Sequence, residues 1–212
     1  MLFFVAVTSA FAESTPHYPK LFFEYSGLYD NICAGNNPVD DAWASEASSK
    51  EPEFTKVWED SAPLLFNQLF SDFKKGFTRN EMTATLSVCA FAPSYSNPLI
   101  LNVSRFLKSY MKDAPVRGDH VFVDLVFHEL LHTWVDENIS ETTPLLLKYK
   151  SESASVRAHL HLMALQVLVY KETGRNDLLE WINLQYPRMR GDYPRAWEIV
   201  NKEGYEAFIK EI

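Results

Sequence analysis

Cysteine is scarce in this chain, with only Cys33 and Cys89 among 212 residues. They do not form a CxxC pair, which excludes a zinc ribbon and a thioredoxin-type redox motif. Glycine (7) and proline (11) are too few for a collagen or a low-complexity protein. Positive charge is also in deficit: 20 Lys and Arg against 28 Asp and Glu give a formal charge of −8. That balance argues against nucleic acid as a partner, because phosphate binding needs clustered Lys and Arg. It gives no support to docking on an anionic membrane. No apolar run reaches the ~20 residues of a membrane-spanning helix, so stable membrane insertion is not expected. Internal repeats are missing, apart from one echo of Tyr186-Pro187-Arg188 in Tyr193-Pro194-Arg195. What remains is 47% hydrophobic and 23% charged, an ordinary globular balance. A chain this long buries a sizeable core without staples.

The N-terminus reads MLFFVAVTSAFA, an apolar run closed by Ala10-Phe11-Ala12. This fits a secretory signal peptide over residues 1–12, although no Lys or Arg precedes the run. Residues 13–212 are then expected to form a single domain, secreted or periplasmic. A buried N-terminal strand is the other reading. In an exported protein the two cysteines would close one disulfide; as separate thiols they would be small buried apolar residues. Spacing alone leaves both open. Asn102-Val-Ser and Asn138-Ile-Ser fit the glycosylation sequon, which matters only in a eukaryotic secretory pathway.

Hydrophobic periodicity sets the expected order of elements. Residues 20–25 (KLFFEY) read as a strand. Residues 34–52, rich in Ala, Gly, Asn, Asp and Ser, read as a loop or linker. Residues 53–74 carry apolar side chains at helical spacing, with Pro63 expected to kink or split the helix. Residues 83–90 alternate as a strand. Residues 98–103 (PLILNV) read as an edge strand with Pro98 at its start. Asp119 is the expected N-cap of a helix over 120–136. A polar stretch around 137–150 precedes a second apolar helix over 151–172, ended by Gly174. Two more helices are expected over 177–186 and 195–211. The fold class is therefore α+β, a small mixed sheet followed by helices.

Five of the six histidines fall between positions 120 and 161. Among them lies His128-Glu129-Leu130-Leu131-His132. In a helix, residues i and i+4 share a face about 6 Å apart along the axis. Two imidazoles so placed converge on one zinc ion, leaving Glu129 to face a water and act as general base. The flanks VDLVF and Thr133-Trp134-Val135 are nearly free of charge, so the helix is expected to be buried, in the dry setting a metal site needs.

On these residues the chain resembles the zincin metallopeptidases, over roughly residues 83–172. The resemblance implies a zincin-like fold in which an edge strand ahead of the motif helix holds an extended substrate. It also implies one Zn2+ ion and hydrolysis of a peptide or protein substrate by zinc-activated water with Glu129 as base. Catalytic zinc takes three protein ligands. The pattern HExxHxxGxxH fails, because Val135 and Asn138 replace its glycine and last histidine. Asp136 lies too far along the axis from His128, at about 12 Å. Glu152, at the start of the second apolar helix, is the favoured third ligand, as in the gluzincins; His159 is the alternative. The gluzincin Asp four residues beyond that Glu is Val156 here, so support for a zinc histidine falls to Asp124 or Asp136. His161 lies 200° around the helix from His159 and does not join it. Tyr186, Arg188, Tyr193 and Arg195 are the candidate donors to a transition-state oxyanion, with Tyr193 and Arg195 foremost. A catalytically inactive zincin-like protein that binds zinc or a partner is the alternative function, and a metal-free helical binding module is a third.

Overall fold

The computed structural model describes residues 15–35, 38–89 and 93–212. The expected signal segment 1–12 lies outside them. The architecture is mixed α+β, with a four-stranded sheet and a helical remainder. β1 (Lys20–Tyr25) forms at its expected position, with Leu21 and Phe23 turned inward and Lys20, Phe22 and Glu24 outward. This alternation marks a sheet with one face covered and one in water.

β1 pairs with β2 (Glu81–Ser87) in parallel, Lys20 opposite Glu81. A parallel pair needs a long crossover. It is supplied by α1 (Gly27–Ala34), α2 (Asp41–Ser49) and α3 (Glu51–Phe73). Helices thus lie within the sheet's connections as well as after them. The expected linker at 34–52 instead contains α2. The Asp40 side chain accepts from Ala42 N–H at 2.8 Å and caps this Ala-rich segment. Pro63 does not split α3, which runs through it unbroken. Its ring sits on the exposed face, and Glu59, whose carbonyl it leaves unpaired, is exposed as well.

β4 (Leu99–Asn102) is not the edge strand. It pairs in parallel with β2 on one side and antiparallel with β3 (Tyr95–Ser96) on the other, giving the order β1-β2-β4-β3. The exposed edge beside β4 therefore belongs to β3. The short α4 (Lys108–Met111) follows, and then α5 (Asp119–Asn138), which carries the two motif histidines. Gly118, not Asp119, is its N-cap; Asp119 sits in the first turn, where a carboxylate complements the helix dipole. α5 is buried nearly all round, as its uncharged flanks require. Phe122 stacks on Phe54 of α3 at 4.4 Å, and Phe127 meets Phe66 at 5.4 Å. Each such buried ring contributes about 1.5–3 kcal/mol.

α6 (Pro144–Lys148) leads to α7 (Ala154–Glu172), capped by Ser153, whose hydroxyl accepts from Val156 N–H. Gly174, with φ +68°, closes α7 as expected. α8 (Asn176–Gln185), α9 (Tyr193–Glu203) and α10 (Tyr205–Ile209) pack over α5 and α7. Gly204 divides the helix expected over 195–211. Cys33 and Cys89 form a disulfide that ties α1 to the segment after β2. One turn earlier on α1, the buried Asp30 carboxylate accepts from the Val88 and Cys89 N–H groups and from the Ser87 hydroxyl. Among the described residues, no helix is long and apolar enough to cross a membrane.

Candidate metal centre

α5 and α7 cross so that three histidines meet. Among the described residues, one ligand atom each of His128, His132 and His159 lies within 4.8 Å of the others. The ring centroids are 5.0 Å apart for His128–His132, 5.3 Å for His128–His159 and 4.7 Å for His132–His159. Two nitrogens come from one face of α5 and the third from α7, a donor set suited to a tetrahedral ion with one open position.

The hydrogen bonds of His128 and His159 set the tautomers of these two rings. Tyr186 Oη donates to Gln166 Oε1 at 2.6 Å, and Gln166 Nε2 donates to Asp124 Oδ1 at 2.9 Å. Gln166 therefore turns its oxygen to His128 Nδ1, at 3.3 Å, and the ring proton sits on Nδ1. His128 Nε2 keeps its lone pair and accepts from the Tyr193 hydroxyl at 3.0 Å. His159 Nδ1 donates to the Ser155 carbonyl at 2.7 Å. Its Nε2 is buried and has no partner. A buried nitrogen lone pair left open beside two other imidazoles is what a metal ligand looks like before it is engaged.

Burial keeps all three imidazoles neutral. It holds His128 well below the ordinary range, with His132 and His159 adding to the effect. Burial and the neighbouring His159 push His132 down to about 3. His159 is lowered by burial, against the opposing pull of its Ser155 hydrogen bond. Neutral imidazole is the ligating form. Glu129 points into a cavity of about 90 Å³ that it shares with His128, Asp124, Tyr186 and Tyr193. Burial raises its carboxyl to about 8, and Asp124 adds to the shift. Burial also raises Asp124 to about 7, against the donors that hold it: Tyr170 Oη at 2.8 Å, Trp181 Nε1 at 3.1 Å and Gln166. Tyr193 is raised by burial and by Glu129 and Asp124, so its hydroxyl keeps its proton at neutral pH.

The structure places His128, His132, Glu129 and Tyr193 together, and it brings His159, the alternative third ligand, to the two motif histidines in place of the favoured Glu152. Glu152 lies outside the cluster. It precedes Ser153, and its Oε1 accepts from Arg195 Nε at 3.0 Å and Nη2 at 2.6 Å. His159, one and a half turns into α7, completes the cluster of three histidines instead. Arg195 is likewise absent from the site, because Glu152 and Glu198 engage its guanidinium. Arg188 is exposed and Tyr186 is buried behind His128. Asp124 supports His128 through Gln166; Asp136 lies a turn beyond His132 on the wall of a separate cavity of about 370 Å³ that none of the three histidines lines. His161 is paired with Glu211 at 2.9 Å. The side-chain amides of both sequon asparagines are engaged: Asn102 Nδ2 donates to Cys89 O, and Asn138 Nδ2 to Gly76 O and Trp134 O.

Three residues of the site escaped the sequence reading. Gln166 carried a signal, as the lone amide in the apolar run LMALQVLVY of α7. Arg117 and Trp181, which line the same cavity, carried none. No protein-family model, no curated protein and no solved structure matches the chain.

Proposed function

We propose that the chain is an exported zinc-dependent metallopeptidase, with His128, His132 and His159 as the metal ligands and Glu129 as the general base. The observation that carries this reading is the open, buried Nε2 of His159 beside the HELLH pair, whose His128 lines one cavity with Glu129. A zinc ion held there supplies Lewis acidity toward a water and a substrate carbonyl. Glu129 takes the proton of the attacking water and delivers it to the leaving amine. Its carboxyl, raised to about 8 by burial, ionises beside a bound cation, which reverses the local bias toward the neutral form. The protonated Tyr193 hydroxyl donates to the developing oxyanion once it leaves His128. Gln166, anchored on Asp124, holds the His128 ring in the ligating tautomer. The β3 edge, packed near α5, offers backbone groups to an extended peptide. The Cys33–Cys89 disulfide supports export, since such bonds persist in oxidising compartments.

Elemental analysis of the purified chain after dialysis against metal-free buffer tests the site. About one zinc per chain is expected of a single three-ligand centre. A cleavage assay on a peptide library then tests the activity, with Glu129→Gln expected to keep the metal and lose hydrolysis. Absence of metal, also after zinc is added to the folded protein, would remove the reading altogether. Bound zinc without any cleavage would leave the inactive zincin-like alternative.

A further inference from the structure

Arg117 lines the same cavity as His128 and Glu129 and has no role in the chemistry above. It lies immediately before Gly118, the N-cap of α5, and its backbone N–H donates to the Arg105 carbonyl at 2.9 Å. Its guanidinium sits over the Trp181 ring, 5.5 Å from the centroid, and the side chain is half-buried. Among the described residues, no carboxylate lies within ion-pairing distance of it. The nearest internal candidate is Asp124, on the same cavity wall. Its oxygens are already held by Tyr170, Gln166 and Trp181 and do not reach the guanidinium. The exposed Arg105 is close enough for the two positive charges to repel. A cation partly withdrawn from water, beside another cation and attracted by Asp124 without an ion-pair contact, is an arrangement that an incoming anion in direct contact improves. The planar guanidinium, oriented by its aromatic neighbour, presents the donor fork that fits a carboxylate. In a chain of net charge −8, an acidic peptide would otherwise be repelled from the site.

We infer that Arg117, seated on Trp181, receives a carboxylate of the bound peptide and so sets the substrate class of the site. The carboxylate is either an aspartate or glutamate side chain or the free C-terminus of the peptide. This rests on the metallopeptidase reading for the identity of the ligand as a peptide.

The test uses the full chain loaded with zinc and carrying Glu129→Gln, so that the ligand is not consumed. Calorimetry measures binding of three short peptides of otherwise equal sequence. One has a glutamate and an amidated C-terminus, one a glutamine and an amidated C-terminus, and one a glutamine and a free C-terminus. At least one carboxylate peptide is expected to bind about tenfold or more tightly than the neutral one, the usual advantage of a charge-assisted pair. The arm that gains identifies which carboxylate is read. Adding Arg117→Gln should erase the difference, and Arg117→Lys, which keeps the charge without the fork, should retain part of it. Equal binding of all three peptides overturns the inference. So does a preference that survives Arg117→Gln in a protein of unchanged melting temperature. Should Arg117→Gln not fold, an undiminished acid-over-amide ratio in Arg117→Lys overturns it. Turnover by the unsubstituted chain is scored separately. A carboxylate preference without hydrolysis removes the peptidase reading and leaves this site standing, whereas hydrolysis without the preference does the reverse.

Discussion

The Tyr193 hydroxyl hydrogen-bonds Nε2 of His128 at 3.0 Å, and the two rings lie nearly parallel, 17° apart. The tyrosine thus occupies the lone pair that a metal needs from the first histidine of the motif. With an ion held at Nε2 this bond would be given up, and the hydroxyl would be free for another acceptor. Tyr193→Phe should therefore bind zinc at least as tightly as the unsubstituted chain, by up to about tenfold, since one hydrogen bond contributes about 1 kcal/mol. Hydrolysis in the same variant should fall by about 10²–10³, the usual loss for one oxyanion donor. Competition with a chromophoric chelator gives the first quantity and peptide turnover the second. Weaker metal binding in Tyr193→Phe would mean that the tyrosine supports the site instead of competing for it.

The two candidates for the third ligand separate cleanly by substitution. His159→Ala removes the open Nε2 and should weaken zinc binding by at least about 100-fold. Glu152→Gln should leave zinc affinity unchanged. Its partner Arg195 is exposed, so the urea midpoint should hardly move, as for surface ion pairs. Zinc titrations of both variants decide the matter, and a large loss in Glu152→Gln would restore the glutamate as ligand.

Gln166 joins two buried groups that otherwise have no direct contact, the His128 ring and the Asp124 carboxylate. Gln166→Leu should cost about 10–100-fold in metal affinity, the range for an outer-shell partner. It should also lower stability by about 1–3 kcal/mol, because Asp124 loses a buried donor. Denaturant titration and chelator competition measure the two losses in one preparation.

Metal uptake should be accompanied by proton release, and the proton should come from Glu129. Below about 8 its carboxyl holds its proton in the metal-free protein. A nearby dication favours the carboxylate, so binding at pH 7 should expel about one proton. Above pH 8 no proton is left to expel and the release should fade. The histidines contribute none, because burial keeps them neutral throughout this range. Calorimetry in two buffers of different ionisation enthalpy reads the proton count. A release that persists unchanged in Glu129→Gln would assign it elsewhere.

The Cys33–Cys89 bridge spans a sequence separation of 56 residues. Loop-closure entropy for that length corresponds to about 4 kcal/mol. Reduction should lower the unfolding free energy by that order, read as a fall in the urea midpoint. A midpoint unmoved by reductant would mean that the Asp30 hydrogen bonds hold the same joint unaided.

The helices that carry the site could be read from the sequence, because burial and periodicity are local signals. HVFVDLVFHELLHTWVD is apolar enough to announce a buried helix, and its histidines four apart share a face whatever surrounds them. The third histidine of the cluster could be named in this way only as the alternative to Glu152. Its place depends on where α7 begins and how it crosses α5. Ser153 caps α7 one residue after Glu152, which leaves that glutamate in the preceding turn. The edge strand was misplaced for a similar reason, since two residues, Tyr95 and Ser96, carry too little pattern to register as a strand. Pairing of the cysteines, likewise, is a matter of distance between α1 and the end of β2, which no spacing encodes. The Tyr-Pro-Arg echo was visible, and its meaning emerges only in three dimensions: the two tyrosines reach the two ring nitrogens of the same histidine.

The Ser153 cap has a consequence for recognising distant kin of this chain. His159 is placed by a six-residue interval counted from the cap, and each residue inserted inside that interval would swing it 100° about the helix axis. Between Ser140 and Glu152 the exposed turn at Ser140–Thr142 carries no residue of the cluster and lies ahead of the core contacts made by Leu145, Leu146 and Tyr149. A change of length confined to that turn would keep the Ser153-to-His159 interval intact. A lineage built on this site would thus drift freely in the gap between HELLH and its last ligand. Its members would be found by a hydroxyl cap followed six positions later by histidine, and overlooked by any pattern that fixes the gap.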